Sequence, residues 1–124
     1  MDFTTGINPQ AVAIADLDAD GKPELTVVNK GDNTLSVFKN VSTTGTISTS
    51  SFSTKVDFPT GSSPSAVAIT DLDGDGRPDI AVTNASGNTV SVFRNMGAVG
   101  NITSASFGAK VDFATGANPQ AISL

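Results

Sequence analysis

The chain contains no cysteine, no histidine, no tryptophan and no tyrosine. Without cysteine, a disulfide framework and a thiolate metal site are both excluded, and without histidine a zinc centre has lost its other usual ligand. Ser and Thr are plentiful but have no base partner, so nothing points to nucleophilic or general acid–base catalysis and no enzyme is expected. No apolar run approaches the ~18 residues needed to span a bilayer, so no membrane insertion is expected. The Met-Asp-Phe-Thr start lacks the basic and apolar regions of a signal peptide, and a secretion signal would lie outside this sequence or have been removed. Seven Lys and Arg, scattered under a net charge of -5, make no basic stripe, which excludes nucleic acid held through its phosphates.

What remains is a chain of 124 residues, enough for one modest domain, rich in Gly, Thr, Ser, Asn and Val and poor in helix formers. That composition suggests short strands and many turns. Its twelve acidic residues are concentrated: Asp16, Asp18, Asp20 and Glu24 form one group, and Asp71, Asp73, Asp75 and Asp79 another.

The two groups are 55 residues apart, and that offset relates nearly every other landmark. Phe3, Phe58 and Phe113 align, as do Gly6, Gly61 and Gly116, and Pro9, Pro64 and Pro119. The pairs Asn29 and Asn84, Phe38 and Phe93, Asn40 and Asn95, and Phe52 and Phe107 follow the same rule. "DFTTGINPQAVAI" (2–14) returns as "DFPTGSSPSAVAI" (57–69) and again as "DFATGANPQAISL" (112–124). Residues 1–124 are therefore expected to be a single repeat module: a first repeat over 2–56, a second over 57–111 and the start of a third over 112–124.

β-Branched and aromatic runs bounded by Gly, Pro, Asn and Asp predict four short strands per repeat. In the second repeat these are about 65–70, 79–84, 89–95 and 109–113, with "ASGNT" as the hairpin turn between the second and third. Ala66 and Ala68 alternate with Val67 and Ile69, a small-against-large pattern suited to backbones crowded near an axis. A four-stranded unit recurring at ~40 to 55 residues is the signature of a β-propeller blade. The expected fold is all-β: two four-stranded antiparallel blades with overlapping terminal strands.

Between the first two strands of each repeat lies a metal-binding pattern. Calcium takes six to eight oxygen ligands at ~2.3 to 2.6 Å, which requires several carboxylates converging from a tightly turned chain. In "DLDGDGRPD" the side chains of Asp71, Asp73 and Asp75, the carbonyl of Arg77 and the side chain of Asp79 are the expected ligands, with Gly76 allowing the sharp turn. "DLDADGKPE" repeats the scheme with Asp16, Asp18, Asp20, the Lys22 carbonyl and Glu24. An EF-hand would need an acid at loop position 12, where this chain has Val27 and Val82. Asp and Gly also favour turns for local backbone reasons, but four like charges so close disfavour a compact loop unless a cation intervenes. Two Ca²⁺ sites are expected; Mg²⁺ usually retains waters rather than using so many protein oxygens.

"PSAVAITDLDGDGRPDIAV", with "NTVSVFRN" and the later Phe107-Gly108, resembles the FG-GAP or VCBS-type repeats of integrin α-subunit propellers and of many bacterial surface proteins and fungal lectins. The resemblance covers essentially the whole chain. It implies calcium bound by Asp71, Asp73, Asp75, Arg77 and Asp79, and by Asp16, Asp18, Asp20 and Lys22, with Glu24 departing from the family's aspartate. The Phe-Gly element is intact in the second repeat, whereas the first reads Phe52-Ser53.

These readings predict a calcium-stabilised structural or adhesive module, extracellular or on a cell surface. Two blades cannot close a propeller, so self-association head to tail through the duplicated ends is expected, giving a ring or a filament. The alternatives are a lectin-like propeller that binds a glycan or protein ligand, against which the absence of Trp and Tyr weighs, and a piece of a larger surface protein.

Overall fold

A computed structural model describes residues 1–123; Leu124, the last residue of the third repeat's start, lies outside the described residues. Eight strands form two four-stranded antiparallel sheets. The first holds β1 (Pro9–Ala15), β2 (Glu24–Asn29), β3 (Thr34–Phe38) and β4 (Val56–Pro59), in that order. The second repeats it with β5 (Pro64–Thr70), β6 (Asp79–Asn84), β7 (Thr89–Phe93) and β8 (Val111–Ala114). The expected strands are present, with modest changes at their ends. The third strand stops at Phe93 rather than Asn95 because Asn95 leaves the ladder for an isolated bridge to Phe107, as Asn40 does to Phe52. The fourth begins at Val111, two residues late.

The outer strand of the first sheet, β4, comes from the opening of the second sequence repeat. Each sheet is thus completed by residues that begin the next repeat, so adjacent sheets are tied covalently at their edges. Pro9 and Pro64 open the first strand of each sheet, where a missing N–H is tolerated, and a bulge follows each. Asn33 and Asn88 take left-handed conformations, with φ of 55° and 53°, in the β2–β3 and β6–β7 turns, as hairpin chemistry requires. Lys30, Gly31 and Asp32 lie in the first of these turns, where the Asp32 carboxylate accepts a hydrogen bond from Ile7 N at 2.6 Å.

The apolar core lies between the sheets. The first contributes Val28, Leu35, Val37 and Phe58 from one face, together with Leu17 from the β1–β2 loop; the second contributes Ile80, Val82, Phe93 and Phe107. Cross-strand register makes each set a row: Val28 opposes Leu35 and Leu35 opposes Phe58, while Ile69 opposes Ile80 and Ile80 opposes Phe93. The two rows occupy opposite faces of equivalent sheets, because period-2 alternation sends Val28 one way and Val82 the other. Phe58 and Phe107 meet edge to face with centroids 5.3 Å apart.

A buried polar ladder crosses each sheet. Asn29 Nδ2 donates to Thr34 Oγ1 and Ser36 Oγ, and the Ser36 hydroxyl donates to Asp57 at 2.6 Å. Asn84, Thr89, Ser91 and Asp112 repeat it. Asp57 and Asp112 also accept from Lys55 and Lys110, so these recurrent acids join the outer strands to their sheets. Burial alone would raise the Asp57 carboxyl; the Lys55 ammonium and the Ser36 hydroxyl outweigh it and hold its pKa below the ordinary 3.8. A lowered folded pKa contributes stability that is present above the unfolded value and lost as pH falls through the folded one. Lys55→Met is therefore expected to destabilise the protein at neutral pH and to converge with the unaltered protein in acid. Urea unfolding in steps from pH 7 to pH 2 would reveal this, and a constant difference across that range would contradict it.

Candidate metal centres

Each acidic loop joins the first strand of a sheet to the second, and its closing acid is the first residue of that second strand. Backbone N–H groups organise both loops around the opening aspartate. Asp71 accepts from Gly74 N at 2.8 Å through Oδ1 and from Gly76 N at 2.8 Å through Oδ2, and Asp16 accepts from Gly21 N at 2.9 Å through Oδ2. Gly21 and Gly76 have φ of 87° and 88°, the conformation that side chains resist and that turns the chain back on itself. Lys22 N and Arg77 N donate to Asp20 and Asp75 at 2.9 Å.

The closing acids are buried and bonded twice. Glu24 accepts from Leu17 N at 2.7 Å and from Asn40 N at 3.3 Å; Asp79 accepts from Leu72 N and Asn95 N, each at 2.8 Å. The extra methylene of Glu24 is accommodated, since the two acids reach equivalent partners. Burial pushes the Glu24 carboxyl up, and the charges of Asp18 and Asp20 add to that, against the two backbone donors that lower it.

Carboxylate oxygens of Asp16, Asp18 and Glu24 lie within 4.8 Å of one another, and so do those of Asp71, Asp73 and Asp79. Asp20 and Asp75 stand outside these trios. Each is drawn to a cation that the sequence reading passed over: Lys39 bonds Asp18 and Asp20, and Arg94 bonds Asp73 and Asp75. Lys39 holds the Asp20 carboxyl below its ordinary range, and Arg94 does the same for Asp73. The signal was available, because Lys39 and Arg94 share the 55-residue offset and directly precede the aligned Asn40 and Asn95.

One atom tests whether the first loop suits a cation. Asp16 Oδ1 is shut off from solvent and has no hydrogen-bond partner. A buried carboxylate oxygen left so is costly, and a divalent cation among Asp16, Asp18 and Glu24 would satisfy it. The donors are all oxygens, as a hard cation prefers.

Sheet packing treats the two loops differently. The first is roofed by the second sheet, where Asn95 Nδ2 donates to Leu17 O and Gly100 N donates to Asp18 O, both at 2.8 Å. Leu17 is 3% exposed and its counterpart Leu72 is 53% exposed.

The FG-GAP-like repeat family matches residues 16–82 and again 71–124. The chain belongs to that family. No curated protein and no solved structure matches it. The FG-GAP-like repeat is structural and non-catalytic. The Phe-Gly dipeptide of the second repeat packs Phe107 onto Phe58, while Gly108 N donates to Arg94 O at 3.0 Å; Ser53 N makes the same bond to Lys39 O at 3.0 Å. A glycine is therefore not required at that position.

The loops differ in one residue with a clear cost. Ala19 adopts φ 60° where Gly74 adopts 81°, and left-handed backbone costs a residue with a Cβ roughly 1 kcal/mol. Gly74 N donates to the opening aspartate, a bond the first loop lacks. Ala19→Gly is expected to raise stability by about 0.5 to 1 kcal/mol. Chemical denaturation measures it, and a loss of stability would refute the strain.

Proposed function

We propose that this FG-GAP-like chain is a calcium-stabilised structural and adhesive module whose sheets are propeller blades. The observation that carries the proposal is the twice-built trio of carboxylates, one of which keeps a solvent-free, unpartnered oxygen at Asp16. The ligands are Asp16, Asp18, Asp20 and Glu24 with the Lys22 carbonyl, and Asp71, Asp73, Asp75 and Asp79 with the Arg77 carbonyl. Calcium supplies positive charge that offsets the repulsion within each loop. Asp20 and Asp75 join their trios by giving up Lys39 and Arg94. FG-GAP-like repeats are typically extracellular, and modules working outside cells often bind calcium with dissociation constants of ~10⁻⁴ to 10⁻³ M, which supports an extracellular or cell-surface setting.

Blades assemble side by side, and in this reading two copies join as the two sheets of one chain do, head to tail, into a ring or a filament. Support comes from the open faces: Val12 and Ile14 are exposed on the first sheet, where Val67 and Ile69 pack against the core on the second. No observation favours a glycan- or protein-binding lectin over this module.

Calcium at about one hundred times its dissociation constant should add ~2.7 kcal/mol for each site that only the folded state offers. Thermal melts in calcium and in EDTA test it, and identical midpoints would refute the metal reading. Calorimetric titration of Asp73→Ala should find one site lost and the site at Asp16, Asp18 and Glu24 retained. Loss of both sites, or of neither, would contradict two independent loops.

A further inference from the structure

The 55-residue repeat makes the contact between the two sheets a template for the same contact on the two outer faces, where its halves are exposed. On the first sheet Phe58 is 6% exposed and packs edge to face on Phe107. Its counterpart on the second sheet, Phe113, is 56% exposed, and Val111 beside it is also exposed. The counterpart of the Phe107 socket is Phe52, and it is already filled: Phe3 packs on Phe52 edge to face at 5.2 Å and 79°, against 5.3 Å and 86° for the internal pair. Phe3, Phe38 and Phe52 line an open depression, and Phe3 is only half-buried.

We propose that Phe3 is an intramolecular plug, occupying on its own chain the socket that receives Phe113 from a second copy. The inference rests on the head-to-tail reading above and specifies its junction. The occupant follows from repetition: Phe113 is carried by β8 as Phe58 is by β4, and each opposes the same strand position, Val90 or Leu35. At such a junction residues 112–123 of one copy and 2–13 of the next claim one path. β8 is paired with β7 and β1 with β2, whereas residues 1–6 and 118–123 belong to no strand. Joining therefore displaces residues 1–6 of one copy and 118–123 of the other, with the hydrogen bonds that Gly6 N gives Asn29 Oδ1, Ser65 Oγ gives Pro119 O and Asn118 N gives Asn88 Oδ1, and keeps both strands. It also roofs the second acidic loop. Asn95 Nδ2 and Gly100 N donate to Leu17 O and Asp18 O within the chain; by the same offset Asn40 and Gly45 of the second copy donate to Leu72 O and Asp73 O. Gly45 and Gly100 share the left-handed conformation that this contact uses, with φ of 82° and 76°.

Complementation tests the junction. Phe113→Ala disables only the donor end and Phe52→Ala only the socket, so in calcium each variant alone should sediment as a monomer, and an equimolar mixture should give a dimer and nothing larger. Phe113 is exposed, so its replacement leaves the fold intact, and circular dichroism verifies this for Phe52→Ala. Phe3→Ala should lower the concentration for half-assembly of the 124-residue chain by about tenfold, the factor set by one aromatic contact of ~1.4 kcal/mol. If the unaltered chain assembles and Phe113→Ala assembles equally well, the plug and socket are wrong while head-to-tail association stands. If the unaltered chain and Phe3→Ala both remain monomeric at millimolar concentration in calcium, both ideas fall.

Discussion

A buried carboxylate at the first residue of each second strand is the interaction on which the rest of the structure depends. Glu24 and Asp79 each accept one backbone N–H from the acidic loop before them and another from the segment after the third strand. One side chain thereby fixes three stretches of chain: the loop, the strand it begins, and the exit that carries Asn40 or Asn95. Two charge-assisted bonds offset much of the cost of burying the acid. They do not fully offset it: burial, and after it the charges of Asp18 and Asp20, keep the Glu24 pKa raised. Lys39 and Arg94 place positive charge at the edge of each loop, where they bond two of its carboxylates.

The same exit segment joins the sheets. Asn95 N is held by Asp79 within its own sheet, while Asn95 Nδ2 reaches both Pro78 O and, across the junction, Leu17 O. The acidic loop of one sheet, the closing acid of the next and the packing of Leu17 in the core thus form a single network. Leu17 belongs both to the first acidic loop and to the core cluster, so the conformation of that loop is coupled to sheet packing.

Much of this was legible in the residues. β-Branched runs between Asp, Gly and Asn gave the strands to within two residues, and the offset of 55 gave the equivalence of the sheets. The alternate aspartates and Gly76 marked both loops. Less legible was the role of side chains that act at a distance along the chain. Nothing about Lys39 or Arg94 alone announces a partner nineteen or more residues earlier, and Asn40 or Asn95 reads equally well as an ordinary turn residue. Recurrence at the same offset was their only signal. Asn40 and Asn84 are both buried, and their amides serve the fold by donating to Pro23 O and to Thr89 and Ser91.

Burial was the least legible property, and the reason is physical. Leu17 and Leu72, or Phe58 and Phe113, are the same residue in the same local structure, yet one of each pair is covered and the other is not. Local sequence determines which face of a sheet a side chain joins, because strand alternation is local. Whether that face is dry depends on the neighbouring sheet, a property of position in an array rather than of the repeat itself. The core found between the two sheets is therefore half of what each sheet's pattern specifies. Val12 and Ile14 on one outer face, with Leu72 and Phe113 on the other, are exposed counterparts of residues that pack in the interior: Val67, Ile69, Leu17 and Phe58.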